Sequence, residues 1–576
     1  MKKALMVVSM LVLTIFLVFA YQNIYNAYSI EYRILMALSK MSETELPNPT
    51  SGISGDQMSS LVNALASDRL VEREAGFLNY LKQRVEEPPR MLKYPTGIGL
   101  EGRLLTQPQV LASMNEETTN LDWVIGNHGR KSALSIGADM YFGELVFGSV
   151  GIDMLKDFDS YRFHGFELNV GGNWDAYKPY KAFASIGTGV FNFELGRDRI
   201  YYSKGKTGSV GLGDNFIFSN FAKISATSYP LSYDLTLLAY DSNLETYNDD
   251  GNTLSAKETS LSKYDFNSPS QYLFIHRMSY TPFNFMNVSV YEGMLVYGVG
   301  AFQDPRALNP FMILHNLMTY DNGNANNYFG IELDVIPSKG LEFHIEAMFD
   351  QIQLKGEPQG EDDSQLSPNA YGILANVLYS TIYKSGILEM YLEGAYVSPA
   401  MYLRENKGCN KFDVAGQYDY HDIDLVVGSS MGMDSVNYSY LGYKHGCDTI
   451  AVGAGSNWFD LSGLEFGFDA LFTAHGSHGI DYRGDGSQIS HILTGKEHYN
   501  DVAPTSNVEK GLVPEYRLNL LASASVPVCI GLDFSGTLAF VNVWNRFNRQ
   551  GASFTDFQLS IAFKADVLRL MQMMCR

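Results

Sequence analysis

From about residue 97 onward, apolar and polar positions alternate, the period of a strand with one apolar face. Leu134, Ile136, Ala138, Met140 and Phe142 alternate with Ser135, Gly137, Asp139 and Tyr141. Phe166, Leu168 and Val170 face away from Glu167 and Asn169. Leu341, Phe343, Ile345, Ala347 and Phe349 oppose Glu342, His344, Glu346 and Asp350, and Leu388, Met390 and Leu392 oppose Glu389 and Glu393. The closing run sets Phe557, Leu559, Ile561, Phe563 and Ala565 against Gln558, Ser560, Lys564 and Asp566. Runs of about ten alternating residues are what a tilted strand needs to cross a bilayer, and about twice an ordinary globular strand. Roughly 16 to 20 such runs can be counted. Polar stretches near 243–269, 355–369, 404–424 and 474–513 read as long loops between them.

Residues 21–96 follow a different period. Met58, Leu61, Val62 and Leu65 share one helical face, a start is marked near Ser54 or Asp56, and Glu86-Glu87-Pro88-Pro89 ends the pattern. A helical unit of this size is too small to stand alone and is expected to pack on something larger. Ahead of it, Lys2 and Lys3 precede an apolar run from Ala4 to Ala20, the layout of a signal peptide. The expected organisation is therefore a signal peptide (1–20), a helical plug region (21–96), a barrel (97–568) and a C-terminal tail (569–576).

Composition narrows the class. Aromatics make up 13% and charged residues only 18%, with 53 Gly, which suits many strands joined by turns. The mean hydropathy of -0.10 excludes a polytopic helical membrane protein. Acidic residues outnumber basic ones by 63 to 42, for a formal charge of -21, which excludes a nucleic-acid partner. The rival to a membrane barrel is a secreted β-sandwich or propeller. A long, nearly charge-free apolar face favours the barrel, as do aromatics at strand ends such as Tyr201-Tyr202, Tyr229, Tyr272, Tyr280 and Tyr297. Strands in lipid must pair all their backbone groups, so the sheet has to close. The four cysteines fit no zinc pattern; Cys409 and Cys447, both in polar loops, either pair in an oxidising compartment or stay unpaired.

Catalytic signatures are missing from the sequence: no nucleophile elbow, HExxH, P-loop or dinucleotide fingerprint opens a βα unit. No cofactor or metal is expected, since His475 and His478 in a Gly-rich loop read as solvated side chains. The pairs Glu342/Glu346 and Glu389/Glu393 are types a glycosidase uses. On one face of a barrel strand they read instead as a hydrated lumen wall. The densest unusual segment runs from Gly196 to Asn215. Arg197 and Arg199 are placed on one strand face there, bracing the barrel or binding an anionic or hydroxyl-rich ligand. Arg277 is a third arginine of this kind.

An ordered set of segments resembles the Wzi-type capsule-assembly family of outer-membrane proteins. It comprises LGRDRIYYSKGKTGSVGLGDN at 195–215, FIHRMSYTPFNFMNVSVYEGMLVYG at 274–298, LNPFMILHN at 308–316 and NNYFGIELDVIPSKGLEFHIEAMFDQIQL at 326–354. The resemblance implies an all-β transmembrane barrel of about 18 strands with a helical bundle plugging its periplasmic end. It also implies the cell outer membrane of a diderm bacterium, delivery by barrel-insertion machinery, contact with outer-membrane lipid and a monomeric state. The implied role is lectin-like and non-catalytic: binding, organising or attaching surface polysaccharide. A porin or specific channel for small solutes is the alternative. The ligand-binding positions implied by the pattern are Gly196, Arg197, Asn215, His276, Arg277, Asn309, Pro310, His315, Asn326 and Asp350; Arg199 joins them from the residue reading.

Overall fold

The computed structural model describes residues 22–88, 97–118, 122–125, 129–156, 165–170, 180–202, 204–216, 218–240, 270–298, 305–309, 311–315, 325–352, 369–399, 401–402, 425–430, 436–476 and 513–574, plus a few isolated pairs and triplets between them. The expected signal peptide, Cys409, Pro310 and most of the long polar loops lie outside the described residues.

Eighteen long strands form the wall. They are β1 (Ile98–Thr106, resumed at Gln109–Ser113 after Pro108), β2 (Leu134–Phe142), β3 (Val146–Lys156), β4 (Tyr180–Thr188), β5 (Phe191–Asp198) and β6 (Ser219–Ser228). Next come β7 (Leu231–Tyr240), β8 (Ser270–Phe283), β9 (Met286–Gly298), β10 (Ala325–Ser338), β11 (Leu341–Gln351) and β12 (Ala370–Tyr383). The last are β13 (Gly386–Val397), β14 (Thr449–Asp460), β15 (Glu465–His475), β16 (Glu515–Cys529), β17 (Leu532–Trp544) and β18 (Ser553–Asp566). Each pairs antiparallel with its neighbours, and β18 returns to β1 through Gln558↔Ser113 to Ala562↔Gln109 and through Ala565↔Thr106. The all-β barrel is closed, with the strand number the resemblance implied.

Connections alternate in length. Tight hairpins such as Phe142 to Val146 and Ser338 to Leu341 sit at one end, where Gly340 takes a positive φ of 81° that a side chain would resist. Long connections such as 156–180 and 198–219 sit at the other. The wall is inverted relative to a soluble protein. On β11, Phe343 and Ile345 are 42% and 45% exposed, whereas Glu342 and Glu346 are 1% and 2% exposed. Apolar side chains face outward and polar ones inward, as a bilayer demands.

Three helices fill the hairpin end: α1 (Ile30–Met41), α2 (Gly55–Ala64) and α3 (Glu72–Glu86). Ser29 caps α1 by accepting from Tyr32 N, and Ser54 and Gln57 cap α2 reciprocally. Leu35, Leu38, Met58, Leu61, Phe77 and Leu81 form their shared core, which reaches Ile387 and Phe459 on the wall. Ion pairs dock the unit, with Arg33 at 3.0 Å from Glu465 and Glu74 at 2.8 Å from Lys339 in the β10–β11 hairpin. A fourth helix, α4 (Val567–Met574), follows the last strand.

Candidate functional site

Two segments with no periodicity meet inside the barrel. From the helical unit, residues 42–54 rise past the hairpin end; from the long-loop end, residues 199–202 and 204–215 descend into the lumen. They join at Ser51 and Tyr201, where Ser51 N donates to Tyr201 O at 3.0 Å. The descending loop enters because it is rich in glycine. A Cβ on Gly211 would collide with Tyr291 Oη and Glu346 Oε1, so a side chain there would push the loop off the wall.

The wall receives the loop with carboxylates. Glu346 accepts from Ser209 Oγ at 2.8 Å, Gly211 N at 2.9 Å and Tyr291 Oη at 3.1 Å. Glu393 accepts from Lys206 N at 2.7 Å, Thr207 N at 2.6 Å and Asn376 Nδ2 at 3.0 Å. These acids are buried partners of an inserted loop, which corrects the expectation of a hydrated wall. Sequence alternation placed them on one face, but nothing local announced the segment that covers them.

Below this lies a buried ionic cluster. Lys204 Nζ is 2.8 Å from Glu45, 2.6 Å from Glu342 and 3.3 Å from Asp334. Lys40 adds a second ammonium, 3.5 Å from Glu342. Arg277, 2.6 Å from Glu332, also donates to Asn48 O and lies 4.6 Å from the ring of Tyr202. Burial disfavours the ammonium of Lys204, but Asp334, Glu342 and Glu45 outweigh it and hold its pKa well above the usual lysine range. Burial pushes the Glu45 carboxyl up to about 8, against the pull of Lys204 and with repulsion from Glu342 and Asp334. A carboxyl raised in the folded state binds more protons than in the unfolded chain, so its contribution to stability is present near pH 4.5 and lost as pH rises through about 8. Replacing Glu45 by Gln is expected to flatten this slope, on the order of a few kcal/mol. The midpoint of thermal unfolding in lipid, compared between acid and alkaline ends of that window, checks it.

Above the ionic layer the lumen is filled by rings. Tyr202, Tyr291, Tyr328, Tyr402 and Tyr443 are buried in one cluster with Val210 and Leu212 of the inserted loop. Tyr402 Oη donates to Val210 O at 2.7 Å, and Asn215 Nδ2 donates to Tyr440 O and Gly442 O at 2.6 and 2.9 Å. Tyr201 and Tyr202 thus belong to the interior rather than to an interfacial girdle. Their position after a strand suggested the girdle; the loop carries them inward instead.

The sequence-derived site residues divide between the two faces of the wall. Arg199 lies past the end of β5, pairs with Asp214 and sits 3.8 Å from the ring of Tyr28. Arg197 does not share its face: it alternates outward with Leu195, bonds Asn220 Oδ1 at 3.2 Å and lies 5.2 Å from the ring of Tyr180. Gly196 packs so closely on Ala182 O and Phe183 that no Cβ fits. Arg277 points inward and its neighbour His276 outward, as a period of two requires. His276 Nε2 lies 3.3 Å from Ala307 O, outside the barrel. Asn309 Oδ1 accepts from Phe311 N at 3.1 Å, and His315 N donates to Glu292 at 2.7 Å, both in the same outer segment. Asn326 and Asp350 are buried on the inner face of β10 and β11 near the long-loop end. The residues that sequence reasoning missed are the inner acids' partners: Glu45, Asn48, Lys204 and the five tyrosines.

Glu332, Asp334 and His344 bring metal-ligand types within 4.8 Å of one another. Arg277 and Lys204 already neutralise the two carboxylates, and a metal cation placed there would meet two fixed positive charges. Cys447 is buried with its Sγ 3.9 Å from Tyr440 Oη.

No family model and no curated protein matches this chain. Among solved structures, Wzi of Escherichia coli, described as a carbohydrate-binding β-barrel involved in group 1 capsule assembly, aligns over 95% of this chain and 99% of its own. The TM-score is 0.53 at 12% identity. This chain has the Wzi-type fold. OccD1 (OprD) aligns over 81% of this chain and 96% of its own at a TM-score of 0.38 and 11% identity. OccD3 (OpdP) of Pseudomonas aeruginosa gives 0.37 and 11%, over 81% of this chain and 91% of its own. Those two likenesses are too loose to carry an argument. The Wzi-type fold shares its architecture at an identity where side chains have been almost wholly replaced, so function has to be argued from the residues present.

Proposed function

We propose that this protein sits in the outer membrane of a diderm bacterium and binds, organises or attaches a capsular-type surface polysaccharide, without catalysing a reaction on it. In this reading residues 1–20 are a signal peptide, 21–96 the plug, 97–568 a monomeric wall inserted by the barrel-assembly machinery, and 569–576 a tail. The observation that carries the reading is the filled interior. Barrels of about 16 to 18 strands otherwise enclose an aqueous channel; here the helices and residues 42–54, 199–202 and 204–215 occupy it. A rigid, internally braced barrel suits presentation of a binding surface at its long-loop end.

The test is the ratio of cell-bound to released polysaccharide in a deletion strain against its complemented parent. The expected result is unchanged total polymer with most of it moved to the medium. An unmoved ratio would remove the attachment role and leave solute transport as the reading to pursue.

A further inference from the structure

Residues 305–309 and 311–315 do something unusual for a barrel loop: they lie on the outside of the wall. On β8 the inner face carries Leu273, Ile275 and Arg277, and the outer face carries Tyr272, Phe274 and His276. On β9 the inner face carries Tyr291 and Leu295, and the outer face Glu292 and Met294. Ala307 and Leu314 bury themselves against Phe274 and Met294, with Leu237, Val296 and Ala325 around them, all on the outward side. Glu292 would otherwise be a carboxylate on a lipid-facing wall, a costly placement. It accepts from Leu314 N at 2.9 Å and His315 N at 2.7 Å, so the segment satisfies it. His276 meets Ala307 O on the same face. Polar groups on the wall and apolar groups on the segment therefore fix one docked arrangement.

That docking leaves the far side of the segment apolar. Phe311 is 92% exposed and Ile313 57%, and Leu308 is also exposed. The outward wall around it continues the same character, with Met278, Phe329 and Ile331 exposed toward the bilayer. We infer that residues 305–309 and 311–315 belong to a lateral flap seated in the outer leaflet, with Phe311 and Ile313 embedded among lipid acyl chains beside the wall. The argument is continuity: the flap extends a surface whose solvent is already lipid, and an aromatic at the border of the apolar band is where barrels place their anchors. The inference rests on the outer-membrane reading above. It assigns a role to Asn309 and His315 that involves no glycan: Asn309 shapes the turn into Phe311, and the backbone of His315 fastens the flap to Glu292.

The experiment uses the full chain carrying Phe311→Trp, folded into phosphatidylcholine bilayers with and without brominated acyl chains. The protein holds four native Trp, so the readout is the emission added relative to the parent. Loss of most of the added emission in brominated lipid, with resistance to aqueous iodide, is the expected result. Quenching by iodide and indifference to bromine would place Phe311 in water and overturn the flap. Resistance to both quenchers would mean that protein covers the patch, which overturns the lipid assignment as well. A chain that migrates as a folded barrel yet gives either of these results loses only this inference; a chain that enters no bilayer loses the outer-membrane reading with it.

Discussion

Replacing Lys204 by Met is expected to destabilise the folded barrel by about 3–5 kcal/mol, the cost of leaving buried carboxylates without their counter-charge. Lys204 touches three acids from three separate parts of the chain: Glu45 on the plug segment, Asp334 on β10 and Glu342 on β11. Its side chain is 3% exposed, so water cannot substitute for the ammonium. The comparison variant is Arg69→Ala, whose partner Glu43 is itself over a third exposed. An exposed pair of that kind contributes about 0–1 kcal/mol. Unfolding midpoints in lipid vesicles, read from loss of the folded barrel's gel mobility, compare the two. Equal midpoints for both variants would mean that the cluster does not brace the lumen. Adding Glu342→Gln to Lys204→Met should recover part of the loss, because it removes one of the stranded charges.

Trimming the interior should change conduction more than any point substitution. The intact protein is expected to show no steady conductance in a planar bilayer. Removing residues 22–88 and replacing 205–213 by a short Gly-Ser linker should convert it to an open, ohmic pore, since a barrel of about 18 strands with an empty lumen encloses water. Each change alone should give an intermediate result, because the tyrosine layer and the helical unit block different depths. Steady conductance in the intact protein would defeat this account. So would a doubly trimmed barrel that keeps its folded gel mobility and stays closed.

Much of the wall was legible because its rule is local. Alternation over β11 assigns Phe343 and Ile345 to lipid and Glu342 and Glu346 to the interior before any partner is known, and the structure has them so. The helix start was legible to within two residues, at Ser54 or Asp56, because a cap is a local signal, and the structure places it at Ser54 with Gln57 completing the box. The interior was not legible, because an inserted loop has no period to read. Residues 204–213 read only as part of an unusual Gly-containing segment, and Gly211 turns out to permit close approach to Tyr291 and Glu346. His276 and Arg277 show the opposite failure. Alternation alone separates adjacent residues onto opposite faces, yet their shared place in a family pattern grouped them as one site. Arg197 and Arg199 were misjudged by extending β5 one residue beyond Asp198, past the point where two-residue spacing still means a common face.

The plug raises a question of sequence in time. The helical unit precedes the wall along the chain yet finishes inside it, and the wall's last strand must find its first. Arg33 meets Glu465 across 432 residues, and Asp122 meets Arg546 across 424. Closures of that span cost chain entropy well before any contact rewards them, which slows folding. The seam between β18 and β1 is interrupted at Pro108, so it is among the weaker joints of the sheet. Topology sets which contacts are late: the helical unit and the inserted loop meet their partners only once strands far apart along the chain stand side by side.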